Sequence, residues 1–530
     1  MDDLLLGLDL GTTTAKATIY DVNGNFISGE VVEYPIYTPR AGWAEQEATE
    51  WWEAIAKATK IATSKIDPRQ IKGISVSGQR EGVALVDREG NPLSRVIIWM
   101  DRRSVPQAEK LKQTFSEREI YNITGLKIDS TFTAPKLLWI KENQPELLQK
   151  TYKLLQPKDF IVFKLTGRMI TDKSVASRTL LFDIHKRQWS AKLFDEFGID
   201  MTLFPESLDS WEIAGEVTKD AAEKTGLVPG IPVLAGGGDR PIESFGTGLT
   251  SSDSVCESTG TGLSITVALD KIIESEKMLF SIGVHVLPGK WALEGGMGVV
   301  GSVLRWYRDN FGHSEKELGE YMGIRSYELM DMAVERIPPG SDGLIVIPMF
   351  MGARVPRWNP AVRGVIFGLT LSHTRMHIAR AIMEGAVYEL RFLLETLEKI
   401  GLSFKEVRHS GGGSKTPLWN EIKANILKKR AVVMQERDAG GLGNAMLAGY
   451  GTKVFSSPEE AARTMTKVEA VIEPDPNIVQ IYEAYYQFYL ELVERLMDLY
   501  QKHSQLPRPC AKEVKWTQDK LIHLLYKLDK

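Results

Sequence analysis

A polar turn between two runs of strand-forming residues occurs twice in this chain, and that repeat constrains the fold more than any other feature. The first copy is "LLLGLDLGTTTAKATIY" at 4–20 and the second is "SVCESTGTGLSITVALD" at 254–270. Leu, Ile, Val and Tyr on successive positions suit a strand buried on both faces. Gly and the hydroxyl residues between the runs suit a tight hairpin turn. Helical and strand patterns alternate elsewhere, which reads as α/β. The repeat predicts two related domains, each offering a polar hairpin loop to a shared cleft. An unrelated Gly-rich turn is the plainer reading of the second copy.

The first turn raises a chemical question, because Asp9 ends an apolar run and Gly11, Thr12, Thr13, Thr14 and Lys16 follow. An ordinary turn is one answer. A phosphate cradle is the other: Gly11 lets an anion approach the backbone, the threonine N–H and hydroxyl groups bind oxygens, and Lys16 adds charge. The spacing is not that of a Walker loop, and a strand follows where that loop opens a helix.

Further glycine clusters carry the remaining candidates. In "IPVLAGGGDRPIESFGTGL" a strand over 231–235 runs into three glycines and Asp239. The glycines are expected to leave the space above the carboxylate open, so that Asp239 takes the proton of a hydroxyl. The alternative is a turn with Asp239 as a helix N-cap. In "VRHSGGGSKTPLWNEIKANIL" a strand ends at glycines, and Ser414 or Thr416 is expected to cap the next helix, whose N-terminus suits a nucleotide. "DAGGLGNAMLAGYG" reads equally well as close helix packing. In "SVSGQREGVALVD", Gln79, Arg80 and Glu81 follow a strand and can bind the hydroxyls of a polyol; a surface ion pair is the alternative. Asp101, followed by Arg102 and Arg103, has the same two readings.

Composition narrows the function classes. The 530 residues carry a net charge of −4 with the charges well mixed, which argues against nucleic-acid binding. No apolar run is long enough to cross a membrane, and "MDDLLLGLDL" lacks the basic start of a signal peptide. Cys256 and Cys510 are the two cysteines, which suits a reducing, cytoplasmic setting. "NIVQIYEAYYQFYLELVERLMDLYQKH" predicts a long amphipathic helix, and "TQDKLIHLLYKLDK" a last one.

In this order the motifs resemble the FGGY family of carbohydrate kinases. "GWAEQEATEWW", "FTAPKLLWIK", "QPKDFIVFKLTG", "TDKSVASRTLLFDI" and "NPAVRGVIFGL" complete the series, over roughly residues 4–490. The resemblance implies two actin-like (ribonuclease-H-like) ATPase domains around a central cleft, at 1–249 and 250–490, with a helical extension at 491–530. It implies ATP and Mg²⁺, with Asp9 and Asp239 holding the metal. Thr12, Thr13, Thr14 and Lys16 would grip phosphate from one side, and Thr259, Gly260, Thr261 and Gly262 from the other. Gly412, Gly413 and Ser414 would contact the adenosine, and Asp239 would be the catalytic base. Gln79, Arg80, Glu81, Asp101 and Arg240 join Asp239 as candidate substrate-binding residues. The expected reaction is phosphorylation of a primary hydroxyl of a small sugar or polyol, first of all a ketopentose such as xylulose. "FTAPKLLW" and "NPAVRGVIFGLT" look most like xylulokinases. Arg80-Glu81 after Gln79 looks like glycerol kinases and autoinducer-2 kinases, so kinases of glycerol, ribulose or the autoinducer-2 precursor stay open. Glycerol kinases place a Tyr near Thr131, and Arg240 stands where xylulokinases have Asn and glycerol kinases Gln. Outside the class, a heat-shock chaperone ATPase shares the opening "GLDLGTT", and a non-catalytic sugar sensor is a third reading. Family members are often homodimers.

Overall fold

The opening hairpin forms from β1 (Leu4–Leu10) and β2 (Thr14–Asp21), with Asp9 opposite Lys16. The computed structural model describes residues 3–506, apart from 261, 299, 354 and 437. β3 (Phe26–Glu33) extends the hairpin, α1 (Ala48–Thr63) follows, and β4 (Ile71–Gly78) runs parallel to β1. A long insertion leads to α2 (Pro157–Thr166), β5 (Ile213–Glu216) and β6 (Pro232–Leu234). The strand order is β5–β6–β4–β1–β2–β3, and α3 (Asp239–Gly246) leads out of the sheet.

The second half repeats this plan. Its strands are β7 (Ser254–Thr259), β8 (Leu263–Leu269), β9 (Ser281–Val284), β10 (Trp291–Gly296), β11 (Glu406–Ser410), β12 (Arg430–Met434) and β13 (Val468–Ile472). Its helices include α4 (Arg375–Lys399), α5 (Pro417–Leu427), α6 (Ala439–Gly451) and α7 (Pro476–Ser504). The order β10–β8–β7–β11–β12–β13 matches β3–β2–β1–β4–β6–β5 strand for strand, with β9 added at one edge. The sense of pairing matches as well: β7 is parallel to β11 and β11 to β12, while the outer neighbours are antiparallel. The two sheets therefore form an actin-like pair.

Strand alternation explains the odd composition of β1. Leu4, Leu6, Leu8 and Leu10 face a core shared with Trp51 and Ile55 of α1 and Phe160 of α2. A fully buried leucine contributes roughly 1.5–3 kcal/mol. Leu5 faces the other way, into a core shared with Leu442 and Met446 of α6. Gly7 is on that same face, where a Cβ would lie 2.5 Å from the Gly441 carbonyl oxygen. Asp9 follows at the next position on this face, toward the second unit.

Helices α3 and α6 meet between the sheets through reciprocal glycines. A Cβ on Gly246 would lie 1.8 Å from the Ala439 carbonyl oxygen, and one on Gly443 would lie 2.1 Å from that of Ile242. The close-packing reading of "DAGGLGNAMLAGYG" therefore holds for Gly441 and Gly443. The boundary expected at 490 is corrected. α7 is one helix through that point, and Tyr482, Tyr486, Tyr489, Val493 and Tyr500 all pack into the core of the second unit. The helix expected near the C-terminus and Cys510 lie outside the described residues. Among the described residues no helix is long and apolar enough to cross a membrane.

Candidate active site

The triple glycine is packed tight. A Cβ on Gly236, whose φ is +73°, would sit 2.0 Å from the Val76 carbonyl oxygen; on Gly237, 2.3 Å from Val286; on Gly238, 2.5 Å from the Arg80 side chain. These glycines serve close packing, since they let a strand, a core side chain and an arginine approach the backbone, and the expected opening lies at the carboxylate itself. Asp239 is the first residue of α3, and the N-cap position is held by Gly238. Its side chain is 43% exposed, which leaves room for an alcohol. Oδ1 lies 2.9 Å from Arg80 Nε and accepts the Arg240 N–H at 2.8 Å.

Arg80 joins the two units. Its guanidinium donates to both oxygens of Glu294 on β10, at 2.6 and 2.8 Å. Burial tends to raise the Glu294 carboxyl, but Arg80 and Arg178 outweigh it and hold it down at about 2. Glu81 accepts from Arg178 Nε at 2.6 Å, and its backbone is left-handed at φ +66°. Gln79 is buried and donates to Gln46 at 2.7 Å. Gln46 in turn donates to the Thr12 carbonyl at 2.6 Å. Arg240 makes no ion pair among the described residues. Asp101 is corrected. It is fully buried, and its oxygens accept from the Ala44 and Arg103 N–H groups and twice from the Arg103 guanidinium. With both oxygens held, it shapes its loop rather than facing the cleft as the sequence suggests.

The first hairpin turn is presented openly. Gly11 N–H donates to the Thr14 carbonyl at 2.9 Å and closes the turn, leaving Thr13 exposed and Thr12 and Thr14 half-buried. Trp99 donates to the Thr12 hydroxyl at 3.1 Å. Lys16 reaches across to Asp438, at the N-cap position of α6, at 3.2 Å. In the second loop, Gly260 is exposed and its N–H donates to the Gly262 carbonyl at 2.9 Å. Thr259 is corrected: its side chain is buried against Gly413 and its hydroxyl donates to Glu257, away from the cleft. Glu257 is itself held by His409 at 2.6 Å and Lys423 at 2.7 Å. Thr261 lies outside the described residues. Gly412 is exposed and Gly413 buried. Ser414 is corrected too, because its buried hydroxyl donates to the Gly411 carbonyl at 2.8 Å. Neither it nor Thr416 makes a side-chain cap on α5.

A hard cation suits the space beside Asp9. Burial pushes its carboxyl up to about 6; Lys16 opposes this, while Asp438 and Asp239 add to it. Carboxylates of Asp9, Asp438 and Asp239 thus lie within reach of one another there, and carboxylate oxygens are the donors that Mg²⁺ prefers. Among the described residues no three acids, histidines or cysteines converge tightly enough to hold a metal alone.

Sequence reasoning missed Glu294, Arg178, Asp438, Gln46 and Trp99. Glu294 carried the signal that singled out Asp9, an acid inside an apolar strand. Arg178 sat unremarked in "TDKSVASRTLLFDI".

Comparison with known proteins turns this geometry into a family. Two models, described as the N-terminal and C-terminal domains of the FGGY family of carbohydrate kinases, match residues 4–246 and 257–452. The chain belongs to this family. As an FGGY carbohydrate kinase it is a phosphotransferase with an alcohol acceptor, and the chaperone and sensor readings fall away. It is 32% identical over 501 residues to the xylulose kinase of Bacillus subtilis, covering 93% of this chain and 97% of that one. It is 34% identical over 484 residues to the glycerol kinase of Thermococcus onnurineus, covering 89% and 94%. The xylulose kinase structure from Rhodospirillum rubrum superposes with a TM-score of 0.85 at 25% identity, covering 94% of this chain and all of that one.

Proposed function

We propose that this kinase transfers the γ-phosphoryl of ATP to a primary hydroxyl of a ketopentose such as xylulose, with Asp239 as the base. The observation that carries the reading is the placement of Asp239: half-exposed at the start of α3, against Arg80, and close enough to raise the Asp9 carboxyl. The attacking hydroxyl gives its proton to Asp239 as its oxygen bonds to phosphorus, and ADP leaves. Thr12 to Thr14, Lys16 and the exposed Gly260 and Gly412 line the nucleotide side. Asp9, with Asp239, would hold Mg²⁺, which supplies charge neutralisation on the phosphates. Gln79, Arg80, Glu81 and Arg240 would bind the sugar. The likeness to xylulose kinases supports the ketopentose. The Arg80-Glu81 pair and the likeness to glycerol kinases favour glycerol as a second reading. A buried, unpaired Cys256 suits a cytoplasmic setting, and a homodimer, common in the family, is tested by mass in solution.

An ADP-release assay across xylulose, ribulose, glycerol, erythritol, gluconate and the autoinducer-2 precursor tests the substrate. Xylulose should give the highest kcat/KM; turnover of glycerol with none of either ketopentose would reject the assignment. Asp239→Asn should lower kcat by at least about a thousandfold and leave ATP affinity within a few-fold.

A further inference from the structure

Two stretches, "QPKDF" and "TDKSVAS", lend no group to the cleft, yet their polar side chains meet beneath Asp239. Lys158, at the start of α2, is fully buried. Its ammonium donates to the Ala235 carbonyl at 3.0 Å and pairs with Asp159 at 2.5 Å and Asp172 at 3.1 Å. Asp172 Oδ2 accepts from the Ser174 hydroxyl at 2.5 Å, the Ser174 N–H at 2.8 Å and the Ser210 hydroxyl at 2.8 Å. The Ser174 hydroxyl accepts the Gly238 N–H at 3.0 Å.

The segment that ends in Asp239 is thus gripped at both ends: Lys158 takes the Ala235 carbonyl, and Ser174 takes the N–H one residue before the carboxylate. Between them, the Gly236 N–H donates to the Ser210 carbonyl at 3.0 Å, and Gly237 and Gly238 pair briefly with Ser77 and Gly78. A buried ion cluster is a poor way to gain stability, since apolar side chains of similar volume commonly do as well. Apolar side chains cannot, however, satisfy a buried carbonyl and N–H.

We propose that Lys158, Asp172 and Ser174 are positioning residues for the phosphoryl-transfer step, holding the Ala235–Gly238 backbone so that the Asp239 carboxylate meets the attacking hydroxyl. The proposal rests on the reading of Asp239 as the base. A displacement of about 1 Å at such a group costs on the order of a hundredfold in rate.

Ser174→Ala removes the acceptor for the Gly238 N–H. Its kcat should fall at least about tenfold, with the KM for ATP within twofold of the parent. Ser210→Ala loses a hydrogen bond to the same Asp172 oxygen but keeps its own backbone carbonyl and the Ser174 acceptor for the Gly238 N–H, so it registers the cost of loosening Asp172 without removing that acceptor. Thermal midpoints of both variants complete the comparison. Equal kcat values in the two variants, or a Ser174→Ala loss matched by weaker ATP binding, overturn the inference. Lys158→Arg, which keeps the charge but moves the donor, must show the same split between kcat and KM. Asp239→Asn measured alongside separates the two claims. If it turns over, the base assignment fails; if it is inactive while Ser174→Ala matches Ser210→Ala, only the positioning claim fails.

Discussion

Asp9 carries a pH signature of its own. Its carboxyl stands at about 6 in the folded chain against an ordinary 3.8, chiefly through burial. Between those values the folded state binds more protons than the unfolded one, so stability falls as pH rises through that window. The contribution is fully present below about 3.8 and lost above about 6. In metal-free, nucleotide-free protein, Asp9→Asn should therefore be more stable than the parent at pH 7.5, by roughly 1–3 kcal/mol, with the gap closing toward pH 4. Denaturant titrations at several pH values check this; a gap that stays constant with pH would reject it. Gly236→Ala combines a strained φ with a Cβ 2.0 Å from a carbonyl, and should cost more than about 2 kcal/mol. Asp9 and Asp239 stand out in the sequence because acids at the ends of apolar runs are unusual, and the structure brings the two near each other. The work of Asp101, Thr259 and Ser414 was not, since a sequence does not say which way a polar side chain turns or which donor reaches it first.

Among the elements, the strand–turn–strand repeat was the most informative feature, and it led correctly to two matching sheets. What it did not give was the helix pair between them. The glycines of "DAGGLGNAMLAGYG" fit a phosphate loop and a packing seam equally well until Ile242 and Gly246 of α3 are placed against them. Gly443→Val should force α3 and α6 apart, since its Cβ would overlap the Ile242 carbonyl. A loss of about 3 kcal/mol or more is expected, read by thermal unfolding. The cut at 490 followed the extent of the family resemblance, which ends inside α7 and is no guide to where a continuous helix stops packing.

Across the whole molecule, the two units are joined by pairs that no local pattern reveals. Arg80 and Glu294 are 214 positions apart, and Lys16 and Asp438 are 422 apart. Each pair draws together the two units that flank the cleft. Glu294→Gln leaves Arg80 with one buried charge partner fewer and should raise the KM for the sugar about tenfold, with a smaller change for ATP. Steady-state kinetics on both substrates reads this, and equal changes in the two KM values would contradict it.

The reciprocal glycine seam also constrains how the molecule can move. Backbone pressed on backbone along both helices leaves no cushion of side chains to absorb a displacement. Any displacement of α3 should therefore carry α6 with it, so that the two units shift together rather than slide past one another.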